Sequence, residues 1–146
     1  TLVAPGGLGP EINMAYIDGF IATSRAKKLK AVLEMLVADP ALISGDMIEE
    51  VLRYKRLDGV DTALNTVAAA CFEGGRQALQ LTDKLPTIRA PLLVIWGKED
   101  RILPVAHAAG LPAGTAVVLL DGAGHLPHME KAAEVNAAIV RHLARA

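Results

Sequence analysis

The chain has 146 residues, of which 52% are hydrophobic and 21% charged, with a formal net charge of -1. That length suits one domain or a piece of one, and so apolar a composition argues against a disordered chain. Lysine and arginine are scattered rather than striped, so nothing points to nucleic acid, and no apolar run approaches the roughly 18 residues of a membrane span.

Residues 1–9 form an apolar start, Leu2-Val3-Ala4, followed by the loop Pro5-Gly6-Gly7-Leu8-Gly9. This reads as a strand running into a permissive turn, without the charged start and apolar stretch of a secretory leader. A chain that opens inside a strand, without an initiator methionine, is expected to be part of a longer polypeptide.

Residues 10–85 read as helices. Leu29, Val32, Leu33 and Leu36 recur at helical spacing, and Asp39-Pro40 ends that run. Ser44 is a candidate N-cap for a helix carrying Met47, Val51 and Tyr54 on one face. Leu64, Val67, Ala68 and Cys71 repeat the pattern before Gly74-Gly75. Cys71 is the only cysteine, so no internal disulfide is available, which suits a reducing, cytoplasmic setting.

Residues 86–146 change character. Leu92 to Trp96 is a continuous apolar run between Pro91 and Gly97, as expected of a parallel strand buried on both faces. A short helix is expected from Pro104, a second buried strand over residues 116–120, and a last helix from about Lys131 to Leu143 with Val135, Ile139 and Leu143 on one face. Strands alternating with helices give right-handed crossovers, with ligand-facing loops after the strands' C-terminal ends.

Two such loops carry the chemistry. Gly97-Lys98-Glu99-Asp100-Arg101-Ile102-Leu103-Pro104 follows the first strand, and Gly122-Ala123-Gly124-His125-Leu126-Pro127-His128-Met129-Glu130 follows the second. A general-base histidine needs a carboxylate on its far nitrogen to fix its tautomer, and Asp100 with His125 can meet this need if the strands are neighbours. Glu99 is the rival acid, one place early. His128 reads as a surface or pocket-lining residue, His107 as lying on a helix face, and His142 as complementing a helix C-terminus. No histidine pair has helical zinc-site spacing, no dinucleotide or Walker pattern occurs, and no metal or cofactor is expected on this chain. Ser24, Ser44 and Cys71 lack the G-x-S-x-G setting of a nucleophile elbow.

These loops resemble the closing motifs of the α/β-hydrolase family: G-x-x-D-x-x-x-P after the penultimate strand, then glycine-histidine after the last, with a glutamate at the place of Glu130. The resemblance implies an α/β fold, the C-terminal part of an α/β hydrolase with about three parallel strands, flanking helices and a helical lid. It assigns residues 1–9 to a strand and loop of the core sheet, 10–85 to the lid and return helix, and 86–146 to the last two strands and their helices. Asp100 and His125 are then the catalytic acid and histidine, with the nucleophile outside this chain.

Gly9-Pro10-Glu11-Ile12-Asn13, residues 54–60 and Gly74-Gly75-Arg76-Gln77 are similar to the C-terminal α/β-hydrolase domain of the dihydrolipoamide acetyltransferase component of bacterial acetoin dehydrogenase complexes. That likeness implies acetyl transfer between a lipoyl thiol and coenzyme A, a small acyl substrate, and the other subunits of the complex as partners. Met14, Tyr16 and Phe20 are expected to line the acyl pocket. A lidded hydrolase of ester or carbon–carbon bonds is the alternative enzyme, and a non-catalytic scaffold domain the alternative of another class. Taken alone, the chain is expected to be inactive and to self-associate through the exposed sheet edge at Leu2 to Ala4, by edge pairing or by exchange of the lid helices.

Overall fold

The computed structural model describes residues 1–145. In chain order, strand β1 (Leu2–Val3) leads through the glycine-rich loop into α1 (Met14–Ala22), α2 (Ala26–Leu33), α3 (Gly45–Lys55) and α4 (Val60–Cys71). A small hairpin follows, β2 (Phe72–Glu73) with β3 (Arg76–Gln77), then β4 (Leu93–Gly97), β5 (Ala116–Leu120), α5 (Pro127–Glu130) and α6 (Ala132–Leu143).

The central sheet is parallel and ordered β1-β4-β5, with Val3 opposite Ile95 and Trp96 opposite Leu119. All five residues of β4 are buried, because its alternating side chains meet apolar cover on both faces. Val94 and Trp96 pack with Ala4, Leu8, Leu85, Ile102 and Leu103, whereas Leu93 and Ile95 pack with Leu120, Ala123, Val135 and Ala138. A third cluster, around Leu29, Leu33, Val37, Ile43, Ile48 and Leu52, holds α2 to α3.

Local signals set several boundaries. Asn13 caps α1 by accepting from the Tyr16 amide, and Ser44 caps α3 by accepting from Met47. Asp39 caps the 3-10 turn Pro40–Leu42 that follows α2. Gly124 is required by space: a β-carbon there would lie 2.9 Å from the backbone of residues 36–38.

Several expectations from periodicity are corrected. α3 buries Ile48 and Leu52, while Tyr54 is exposed, since α2 meets the adjacent stripe. α4 buries no residue, and Val67 and Cys71 are exposed. In place of a return α-helix, residues Thr82–Thr87 form a 3-10 stretch containing Pro86, whose ring cannot sit inside an α-helix without losing a hydrogen bond. The helix expected after Pro104 is also 3-10, over Val105–Gly110. β5 is half-open rather than buried, because among the described residues it borders only β4: Val118 and Leu120 meet α6, whereas Val117 and Leu119 face outward. On α6, Val135 and Ala138 are buried but Leu143 is exposed.

Candidate active site

The register of β4 and β5 brings their following loops side by side. Gly97 makes this possible, since a β-carbon there would stand 2.1 Å from the Gly124 carbonyl oxygen and 2.2 Å from that of Ala123. The loops are then stitched by backbone: Lys98 N–H donates to Leu120 (3.0 Å) and Glu99 N–H to Ala123 (3.0 Å). The Glu99 carboxylate accepts from the Ala123 amide at 3.2 Å. Glu99 thus braces one loop against the other, and the bond to the imidazole belongs to Asp100.

Asp100 Oδ2 lies 2.9 Å from His125 Nδ1. The Asp100 side chain is fully buried, whereas the imidazole is 22% exposed. Each carboxylate oxygen has further donors. Oδ1 accepts from the amides of Ile102 (2.8 Å) and Leu103 (3.0 Å), and Oδ2 also accepts from Trp96 Nε1 at 2.9 Å. Burial pushes the Asp100 carboxyl upward, but the His125 bond, the Leu103 amide, the His125 charge and the Ile102 amide outweigh it and hold the group below its ordinary value. An ionised Asp100 fixes the proton on Nδ1 and leaves the lone pair on Nε2, the arrangement a general base requires.

The histidine's backbone is held separately. His125 N–H donates to the Leu36 carbonyl at 2.8 Å, and Glu130 accepts from the Gly124 amide at 2.7 Å and the Ala38 amide at 2.6 Å. Arg101 donates to the carbonyls of Glu34 and Val37, the latter at 2.8 Å. On the opposite side Asn13 donates its amide N–H to Ile102 O at 2.9 Å and its side-chain N–H to Arg101 O at 2.8 Å.

The other candidates fall elsewhere. His107 is buried rather than displayed on a helix face. Its Nε2 meets the Glu11 carboxylate at 2.8 Å, and its ring lies so close to Gly9 that a β-carbon there would stand 2.3 Å away. This bond is the main reason that Glu11 is held below its ordinary value. His128 is exposed, and His142, in the last turn of α6, bonds the Pro91 carbonyl at 3.1 Å. Ser44 is occupied as a cap, Ser24 is exposed before α2, and Cys71 is exposed at the end of α4. Tyr16 packs with the Trp96 cluster and Phe20 with the α2–α3 cluster, their rings 6.0 Å apart, while Met14 approaches the hairpin at Gly75.

Motif reading missed Trp96, Arg101 and the bridging contacts of Glu130. Trp96 left a signal: a tryptophan inside a buried strand needs a partner for its N–H, and Asp100 lies four residues on.

The family model of the alpha/beta hydrolase family matches residues 1–138, and the chain belongs to this family. It is 43% identical over 143 residues to the dihydrolipoyllysine-residue acetyltransferase component of acetoin cleaving system of Cupriavidus necator, covering 98% of this chain and 38% of that protein. A Pseudomonas putida protein of the same name is 43% identical over 136 residues, covering 93% of this chain and 36% of its own length. The chain therefore spans less than two fifths of these curated relatives. A solved meta-cleavage product hydrolase from Pseudomonas fluorescens IP01 shares the fold, with a TM-score of 0.81 at 14% identity, covering 98% of this chain and 55% of that one. Among the described residues no helix is long and apolar enough to cross a membrane.

Proposed function

We propose that Asp100 and His125 are the acid and histidine of an acyl-transferring site whose nucleophile is supplied by the longer protein, upstream of this chain. The observation that carries this reading is the bond between a buried, donor-saturated Asp100 and the part-exposed His125, on adjacent loops at the C-terminal ends of β4 and β5. The likeness to the two acetoin-system components supports acetyl transfer as the reaction and the other subunits of that system as partners. In that reaction a lipoyl thiol delivers the acetyl group and coenzyme A accepts it.

His125 Nε2 takes the proton of the attacking hydroxyl, and Asp100 steadies the imidazolium without itself becoming protonated. The imidazolium returns that proton to the departing sulfur. In the second half it takes the proton of the incoming thiol and gives it back to the nucleophile's oxygen, so the site ends as it began. Residues 10–85 form the lid over this site, with Met14, Tyr16 and Phe20 shaping the acyl pocket.

Transfer of acetyl from acetyl-dihydrolipoamide to coenzyme A by the full-length protein tests the proposal. His125→Ala and Asp100→Asn should each lower turnover by orders of magnitude, about 10⁴ for the carboxylate, whereas Glu99→Gln should have a small effect. The chain of residues 1–146 alone should show no saturable hydrolysis of p-nitrophenyl acetate. A Glu99→Gln loss larger than that of Asp100→Asn would reverse the choice of acid. Faster turnover of a bulky diketone than of an acetyl thioester would favour carbon–carbon hydrolysis. Absence of a G-x-S-x-G serine upstream would favour a scaffold.

A further inference from the structure

The segment that follows α2 touches both loops of the site, and it is joined to the histidine loop both by a backbone bond and by a carboxylate. After α2 the chain forms a 3-10 turn, Glu34–Leu36, and continues extended through Val37. The acid loop reaches this stretch through Arg101, which donates to the carbonyls of Glu34 and Val37. The histidine loop reaches it through the His125 amide, which donates to Leu36 O at 2.8 Å. Gly124 lies flush against the same residues, leaving no room for a β-carbon. Glu130 completes the junction: one oxygen accepts from Gly124 N–H at 2.7 Å and the other from Ala38 N–H at 2.6 Å.

We infer that Glu130 is a positioning residue for His125, and that its carboxylate couples the position of the segment of residues 34–38 that follows α2 to that of the imidazole. The chemistry is specific to a carboxylate. It offers two acceptor oxygens and no donor, so it can receive two converging amides at once. Both bonds are charge-assisted, which makes them stronger than ordinary amide–carbonyl bonds. The Gly124 peptide immediately precedes His125, and the Ala38 peptide lies two residues beyond the carbonyl that accepts from His125. A displacement of residues 34–38 is therefore passed to the histidine's backbone through Leu36 directly and through Glu130 at Gly124. The catalytic part of this inference rests on the acyl-transfer reading above; the structural part does not.

Glu130→Gln separates this from a packing role, since the side chain keeps its size while one acceptor oxygen becomes an N–H₂ facing an amide donor. Amide hydrogen exchange measured by NMR on the 146-residue chain should quicken at Gly124, Ala38 or both by about 10- to 100-fold, the range carried by one charge-assisted hydrogen bond. The His125 Nδ1–H resonance should broaden through faster exchange with water, while the amides of β4 stay protected. Met129→Ala, at the exposed neighbouring position, should change none of these. Unaltered exchange and an unaltered His125 resonance in Glu130→Gln would overturn the inference. If that variant failed to fold, the unmodified chain decides: Gly124 and Ala38 amides exchanging as fast as that of Gly114, in an open turn, would overturn it, and protection close to that of β4 would support it. In the full-length protein Glu130→Gln should lower kcat about tenfold with KM unchanged. A change confined to KM would overturn the coupling to His125, whereas an altered exchange pattern in a protein without acyl-transfer activity would fault only the acyl-transfer reading.

Discussion

Asp100 is ionised where water does not reach it, and four donors make this tolerable: Trp96, Ile102, Leu103 and His125. Because these donors favour the charged form, the folded carboxyl titrates below its unfolded value of about 3.9. Its contribution to stability is thus present above that value and is lost as pH falls through the lower, folded one. The stability advantage of the wild type over Asp100→Asn should be fully present above about pH 5 and should shrink below about pH 4, as read from urea midpoints. An advantage independent of pH would mean that packing, and not charge, sets it. Trp96 shares Oδ2 with the imidazole, so Trp96→Phe should keep most of the buried ring while removing one donor. In full-length protein it should lower kcat about tenfold, in line with one hydrogen bond to a charged group.

The elements differ in how firmly they are anchored. α2 places Leu29, Val32 and Leu33 inside, whereas α4 has no buried residue. Leu29→Ala should cost about 2–5 kcal/mol in chemical unfolding, and Val67→Lys on α4 less than about 0.5 kcal/mol. α1 is held at its C-terminus by a cation from another helix. Lys55 of α3 donates to the carbonyls of Phe20 and Ile21 and stands 4.6 Å from the centre of the Phe20 ring. Desolvation lowers the Lys55 ammonium below its ordinary value, and the nearby Asp61 charge opposes this only in part. Lys55→Met should destabilise the chain by about 1 kcal/mol. The same elements show what periodicity can reveal. The β4 run was legible because both its faces are covered, and the cap at Ser44 is a local bond written in neighbouring residues. The pairing of Asp100 with His125 followed from two loop motifs behind two strands. Burial on β5 and α4 was not legible, since Val117, Leu119 and Val67 are apolar wherever they face, and exposure depends on neighbours far along the chain. The bonds of Glu130 to Ala38 and of Arg101 to Glu34 and Val37 join residues 64 to 92 positions apart, so no local pattern announces them.

At the scale of the whole molecule, the sheet has two open sides in the chain as it stands. β1 contributes two residues, both half-buried, and among the described residues it pairs only with β4. Its other row of N–H and C=O groups is therefore available to another strand. Among the described residues β5 likewise pairs only with β4, and on its face away from α6 Val117 is 42% and Leu119 43% exposed. Unpaired backbone beside apolar side chains drives strand addition, since pairing satisfies the one and buries the other. Short strands limit this tendency, which favours β5, with its five residues, over β1, with its two. The chain taken alone should accordingly self-associate through a sheet edge. Light scattering behind size exclusion at some tens of micromolar should give at least twice the 15.3 kDa chain mass, falling on dilution. Val117→Lys and Leu119→Lys together should return the mass to that of one chain if β5 is the edge in use, because inserted charge blocks strand addition. The same double change should leave the Asp100–His125 pair intact, since Val117 and Leu119 face away from α6 and precede the histidine loop. A steady 15.3 kDa mass in the unmodified chain across that range would show that neither edge is adhesive.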